Sequence, residues 1–216
     1  MLNIYENIGH WKNKIGKLDP GAIGPTGLRE CDVNEELAIR VAHILREYAN
    51  NKLYNIKVSG LKEEYLVDAV KNAKAQKCNM FISFHCNAAE NPTAKGTEVW
   101  YAGNSELAKL INSEMVRQLN DKDRIPDNPK QPWKSWIGKF RYELKNRGTK
   151  EGGFYVISQA NKHGMANALI ELAFITNPKE EVLLSGITKE SRQFLQQSAQ
   201  AIADAIIKYG KQNGLI

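Results

Sequence analysis

The chain is poor in cysteine and lacks long apolar runs and internal repeats, and each shortage narrows what it can be. Cys31, Cys78 and Cys86 are its only three cysteines, an odd set without a C-x-x-C pair, so no disulfide framework is indicated. No apolar stretch approaches the roughly 20 residues a membrane span needs, so no membrane partner is expected. The segment Met1-Leu2-Asn3-Ile4-Tyr5-Glu6 lacks the basic and apolar regions of a secretory signal. The expectation is therefore synthesis in the cytoplasm, with release by another route for any work outside the cell. With no repeat or low-complexity tract, residues 1–216 read as a single domain. No compact metal motif such as H-E-x-x-H occurs, so any metal site has to be assembled from distant segments.

What is present is a mildly basic, globular composition. The net charge of +6 biases the chain toward acidic partners such as an anionic polymer. Lys and Arg are spread along the sequence, however, and no aromatic-basic motif or basic helix is visible, so nucleic acid is not expected to bind.

Hydrophobic periodicity gives alternating strands and helices. Asn34 to Tyr48 carries Leu37, Val41, Ile44, Leu45 and Tyr48 on one stripe, the pattern of an amphipathic helix, which Asp32 or Asn34 could cap. Helices are also expected over about 63–75, 105–119 and 189–209. Met80 to Phe84 is nearly all apolar and fits a central strand covered on both faces. Strands are further expected at Ile4 to Gly9, Tyr54 to Val58, Thr97 to Tyr101, Phe154 to Ile157 and Ala168 to Leu172. This alternation predicts an α/β fold, a three-layer sandwich with a central, mostly parallel sheet flanked by helices. The least regular region, Asp121 to Arg147, holds Pro126, Pro129 and Pro132 with Trp133 and Trp136. A loop of that length is expected to lie over a cleft.

Four side chains stand out against this frame. His85 and Glu171 each end an apolar run, His10 follows the first strand, and Glu30 lies in a Gly- and Pro-rich loop before the first helix. Ligands of open α/β sheets bind at the carboxyl ends of strands, where these residues would emerge. Two imidazoles and a carboxylate leave zinc one open position for water, and a separate carboxylate can move that water's protons. Spacing alone leaves ordinary readings open: a lone glutamate before a helix serves equally as a solvated or helix-terminal charge. His43, on the polar side of its helix, and His163, in a polar loop, read as structural or surface residues. Cys31 and Cys86 adjoin two of the candidates and raise a thiolate–zinc alternative, although on an extended segment Cys86 faces away from His85.

Four stretches carry a resemblance: Ile8-Gly9-His10; Asp19 through Glu30, followed by Asp32-Val33-Asn34; Phe81-Ile82-Ser83-Phe84-His85-Cys86-Asn87-Ala88; and Ala168 through Asn177. Gly96 to Val99 and Asn146 to Lys150 add weaker support. In this order they resemble the zinc-dependent N-acetylmuramoyl-L-alanine amidases, the family of bacterial autolysins and phage endolysins. The resemblance implies Zn²⁺ held by His10, Glu30 and His85, with Glu171 as the catalytic carboxylate. It also implies hydrolysis of the amide between N-acetylmuramic acid and L-alanine of peptidoglycan, and hence wall lysis. The chain would then be a catalytic domain without a separate wall-binding domain, acting as a monomer, with its basic charge suited to anionic wall polymers.

Three departures qualify the match. Two glycines usually follow the first ligand in this family, whereas this chain has Trp11-Lys12, an indole placed to narrow the cleft or stack on substrate. Ala69 to Asn79 offers only lysines where the family often has an arginine, and the 121–147 region is longer than usual. Two rival readings stand beside the amidase: a zinc peptidase cleaving within the stem peptide, and a non-catalytic wall-binding module of the same fold.

Overall fold

The computed structural model of the chain describes residues 1–120 and 142–216. Strand β1 (Leu2–Ile8) leads through a short hairpin, β2 (Trp11–Lys12) and β3 (Leu18–Asp19), into α1 (Glu30–Asn50). There follow β4 (Ile56–Gly60), α2 (Leu66–Ala75), β5 (Met80–Asn87), β6 (Thr97–Tyr101) and α3 (Glu106–Asn120). Beyond the undescribed stretch come β7 (Asn146–Glu151), α4 (Tyr155–Lys162), β8 (Ala166–Phe174), α5 (Pro178–Leu184) and α6 (Lys189–Gln212). Six strands form one sheet in the order β4-β1-β5-β8-β6-β7. The pairs from β4 to β8 are parallel, β6 runs antiparallel to β8, and β7 is parallel to β6.

Side-chain alternation along the central strands builds two cores. Leu2, Ile4 and Ile8 of β1, Ile82 and Phe84 of β5, and Ala168 and Ile170 of β8 face α1, α3 and α6. Tyr5, Phe81 and Leu169 point the other way, onto Ala69, Val70 and Ala73 of α2 and Val156, Ile157 and Ala160 of α4. Strands buried on both faces need apolar residues at consecutive positions, which is why Met80 to Phe84 reads as a continuous run. The second helical layer is the smaller one. Toward the carboxyl ends of β5 and β8 it gives way, and polar side chains occupy the sheet face there.

The three-layer architecture agrees with expectation, and several elements differ from it. Phe154 to Ile157 is not a strand: Tyr155 opens α4, whose Val156, Ile157 and Ala160 are buried. Four apolar residues in a row satisfy either period, and packing on the sheet decides for the helix. Helix α1 begins at Glu30, four residues before the expected start at Asn34. Neither Asp32 nor Asn34 caps it; Asp32 pairs with Arg29, and Asn34 Nδ2 donates to the Gly9 carbonyl. The hairpin β2–β3, strand β7 and helix α5 had no clear periodic signature. Asn177 caps α5 through the Lys179 and Glu180 amides, and Thr188 with Ser191 forms a capping box on α6. Most of the region expected to overlie a cleft, including Trp133 and Trp136, lies outside the described residues.

Two β-bulges shape the polar end of the sheet. His85 pairs with Glu171 and Asn87 pairs with Phe174, so β8 inserts one extra residue just after Glu171. Thr97 pairs with Asn146 and Val99 with Thr149, so β7 inserts another around Gly148, whose φ is 80°. A bulge re-aims the side chains beyond it, and bulges concentrate beside functional sites.

Candidate active site

Three of the four candidates converge at the end of β1 and β5. One ligand-type atom from each of His10, Glu30 and His85 lies within 4.8 Å of the others. Each arrives from a different element. His85 sits on β5, His10 follows β1 after Gly9, and Glu30 is the first residue of α1, so its carboxylate also lies at a helix N-terminus where negative charge is favoured. The expectation that Glu30 lies in a loop is thus corrected by one structural step: the helix itself delivers it.

Backbone geometry clears the space. A Cβ on Gly9 would stand 2.3 Å from His85 Cε1, and one on Gly21, at φ 68°, would stand 2.6 Å from Glu30 Oε2. His10 and Trp11 both have positive φ, 68° and 74°, a conformation that costs an ordinary residue roughly 1 kcal/mol or more. Position 11, where the resemblance leads one to expect glycine, therefore keeps the glycine-like backbone with a tryptophan on it. The indole packs against the main core, with Arg29 above its ring at 5.9 Å. Trp11 is not among the residues that line the groove beside the imidazoles.

Hydrogen bonds set the imidazole tautomers. His10 Nδ1 is 3.0 Å from Asp19 Oδ2, which can only accept, so Nδ1 carries hydrogen. Ser83 Oγ donates to Asn7 Oδ1 at 2.8 Å and therefore accepts from His85 Nε2 at 3.1 Å. The second nitrogens, His10 Nε2 and His85 Nδ1, both face the Glu30 carboxylate, at 3.3 Å from Oε2 and 3.1 Å from Oε1, and are the atoms that would hold a metal in place of their hydrogens. Glu30 is further held by the Ala22 and Cys86 amides at 2.9 and 3.1 Å. An imidazole bonded through its second nitrogen to a carboxylate or hydroxyl is a recurrent metal-site arrangement.

The charges follow from this packing. Burial would raise the Glu30 carboxyl, yet the hydrogen bonds and charges of His10 and His85 outweigh it and hold the group well below the usual carboxylate range. Burial would lower His10, and Glu30 with Asp19 instead raises it to about 9. The donor set is a pair of imidazoles and an ionised carboxylate, which fits zinc. The thiols do not join it. Burial pushes Cys86 well up and Cys31 up to about 11, and Cys86 packs in the opposite core.

Glu171 is not at a strand end as expected but within β8, three residues before its close. It stands beside His85 in register, and its Oε2 is buried without a hydrogen-bond partner among the described residues. Burial first, then the charges of Glu30 and Glu98, raise its carboxyl to about 8. A buried, unpartnered carboxyl next to a candidate metal site is placed for proton transfer. The other histidines behave as surface residues: His43 is exposed near Glu47 at 3.3 Å, and His163 ends α4.

Beside the imidazoles a groove of about 240 Å³ runs over the sheet face, lined by His10, His85, Tyr65, Phe154 and Tyr155 among others. Asp19 and Ser83 escaped the sequence reading as partners of the histidines. Ser83 carried a signal, since residues two apart on a strand share a face. Glu98, Arg147 and Lys150 were missed as well: Glu98 pairs with Glu171 across β6 and β8 and binds both cations.

Residues 7–208 match the family described as N-acetylmuramoyl-L-alanine amidase. N-acetylmuramoyl-L-alanine amidase AmiA of Escherichia coli (strain K12) is 28% identical over 220 residues, covering 90% of this chain and 73% of that protein. N-acetylmuramoyl-L-alanine amidase LytC of Bacillus subtilis (strain 168) is 28% identical over 200 residues, covering 90% of this chain but only 34% of LytC. Among solved structures, the amidase AmiC2 of Nostoc punctiforme superposes with a TM-score of 0.75 at 26% identity, covering 97% of each chain.

Proposed function

Because the chain belongs to the N-acetylmuramoyl-L-alanine amidase family, we propose that it is a zinc-dependent enzyme that hydrolyses the amide between N-acetylmuramic acid and L-alanine in peptidoglycan. In this reading His10, Glu30 and His85 hold the zinc and Glu171 is the catalytic carboxylate. The observation that carries it is the convergence of the three donors within 4.8 Å, with His10 Nε2 and His85 Nδ1 turned toward Glu30 by the bonds of their second nitrogens to Asp19 and Ser83.

When bound, zinc would polarise the scissile carbonyl and lower the pKa of water at its open position from about 15.7 to roughly 7. The remaining work falls to the chain's own groups. Glu171 takes the proton of the attacking water and returns one to the alanine nitrogen as the C–N bond breaks. Asp19 and Ser83 keep the imidazoles in the required tautomers. The groove past Phe154 and Tyr155 offers aromatic faces on which a sugar or peptide can lie. Wall lysis after release from the cytoplasm would be the consequence.

Two variants separate these roles. Glu171→Gln is expected to keep stoichiometric zinc and lose about 10² to 10⁴ in turnover, whereas His85→Ala is expected to lose the metal. Wild-type turnover in Glu171→Gln would remove that residue from the mechanism. Mass analysis of digested peptidoglycan should show new N-terminal L-alanine. Cleavage inside the stem peptide would instead establish the peptidase, and zinc-loaded protein that leaves the wall intact would establish a binding module.

A further inference from the structure

We propose that Arg147 and Lys150, anchored on Glu98 beside Glu171, form a subsite for a carboxylate on the peptide side of the scissile amide. The identity of that ligand rests on the amidase reading above.

The local backbone brings the two cations together. Residues three apart on a regular strand point to opposite faces. The bulge around Gly148 undoes this, and both side chains reach the same oxygen, Glu98 Oε2, at 2.6 Å from Arg147 Nε and 2.7 Å from Lys150 Nζ. The other Glu98 oxygen accepts from Trp100 Nε1 at 3.1 Å. Two cations on one carboxylate leave the cluster with a surplus positive charge.

Each cation also keeps N–H donors unused among the described residues. Arg147 bonds only through Nε, so its two terminal nitrogens have no protein partner among the described residues. Lys150 likewise makes a single hydrogen bond among the described residues. A guanidinium with its terminal nitrogens free is the fork that carboxylates accept in bidentate fashion. Aromatic rings hold both cations in place without using their N–H groups. Arg147 lies 4.8 Å over Phe174, which the second bulge brings to this face, and Lys150 lies 5.1 Å over Trp100.

The cluster is both close to the candidate metal site and open to solvent. Glu98 is the register partner of Glu171, which in turn neighbours His85. The Arg147 and Lys150 side chains are 30% and 35% exposed, while the Glu98 side chain is only 4% exposed. Neutralising one buried carboxylate requires one cation; the second cation and its open donors face solvent. The cluster flanks the candidate metal site on the β6–β7 side, and the aromatic groove flanks it on the β1 side. In peptidoglycan the first carboxylate beyond L-alanine is the α-carboxyl of the next residue, which is free in some walls and amidated in others.

The test compares two N-acetylmuramoyl tripeptides, L-Ala-γ-D-Glu-L-Lys with the central α-carboxyl either free or amidated. Wild-type zinc-loaded enzyme is expected to show about tenfold higher kcat/KM for the acid, carried by KM, as a charge-assisted bond warrants. Arg147→Gln is expected to bring that ratio near one. Calorimetric titration with the two free tripeptides reads the subsite without catalysis, and the same acid preference and its loss in Arg147→Gln are expected. A wild type indifferent to amidation, or an Arg147→Gln variant that weakens both ligands equally, overturns the subsite. If neither muramoyl substrate is cleaved but the free acid still binds more tightly, the amidase reading fails and the carboxylate site stands.

Discussion

Glu171 and Glu98 are opposite one another on antiparallel strands β8 and β6, and the protein drives their carboxyls in opposite directions. Burial, Glu30 and Glu98 push Glu171 up to about 8. Burial also pushes on Glu98, but the hydrogen bonds and charges of Lys150 and Arg147 prevail and hold it below the usual range. Paired carboxyls with divergent proton affinities are a mark of assigned acid–base roles. One is held as an ionised anchor, and the other is favoured in its neutral form.

The anchor makes stability acid-sensitive. With its folded-state pKa depressed, Glu98 contributes stability that is present above the normal carboxylate pKa and lost as pH falls through the folded value. Glu98→Gln should lower stability near pH 7 by roughly 1–3 kcal/mol, toward the lower end because both cations are partly solvated. The difference in melting temperature from wild type should shrink steadily as pH drops below about 4.5. A gap that stays constant from pH 7 to pH 3 would show that the ionised carboxylate adds nothing.

Ser83 tests the tautomer argument. Ser83→Ala removes the oxygen 3.1 Å from His85 Nε2, freeing the ring to take the wrong tautomer or rotate. Zinc affinity, measured by competition with a chromophoric chelator, should weaken about 10- to 100-fold with little change in melting temperature. Ser83→Thr, which retains the hydroxyl, should recover most of it. Unaltered affinity in the alanine variant would mean that packing alone orients His85.

Much of the frame was readable from residue order, for identifiable reasons. Met80 to Phe84 announces a strand buried on both faces, and the stripe from Leu37 to Tyr48 announces α1, because burial on these elements leaves a periodic trace. His85 and Glu171 were visible because a polar group ending a buried strand requires a partner. Strand direction leaves no such trace, so the antiparallel β6 was invisible. Tyr155 to Ile157 suited both periods until α4 docked on the sheet. Charged residues in β6 and β7 look like a solvated edge in sequence. Only the bulge around Gly148 brings Arg147 and Lys150 onto Glu98, and a bulge is a property of pairing between strands.

Gly9 should tolerate no side chain. A Cβ there would lie 2.3 Å from His85 Cε1, 2.5 Å from Nε2 and 2.5 Å from the Phe84 carbonyl. The backbone oxygen cannot move aside cheaply, so the imidazole must. Gly9→Ala is expected to lower stability by about 1–3 kcal/mol, the usual range for overpacking. It should also abolish stoichiometric zinc binding by the purified protein. Full metal content at wild-type affinity would show that the close approach of β1 to His85 is dispensable.

Glu6 offers a test of stability remote from the chemistry. It is fully buried on the α1 side of β1, and neither carboxyl oxygen has a hydrogen-bond partner among the described residues. Burial raises its pKa well above the ordinary value, opposed only in part by Arg46. The folded state therefore keeps a proton that the unfolded chain releases near pH 4.5. Stability associated with Glu6 is fully present below that pH and declines as pH rises, by up to about 1.4 kcal/mol per pH unit, until the folded group ionises. Glu6→Met removes the buried polar atoms at similar volume, so it should raise the melting temperature, with a gain that widens from pH 4 to pH 8. Urea unfolding of both proteins across that range measures the difference directly. A gain independent of pH would mean that the carboxyl is not held neutral, and a net loss of stability would mean that it has a polar partner worth more than its burial costs.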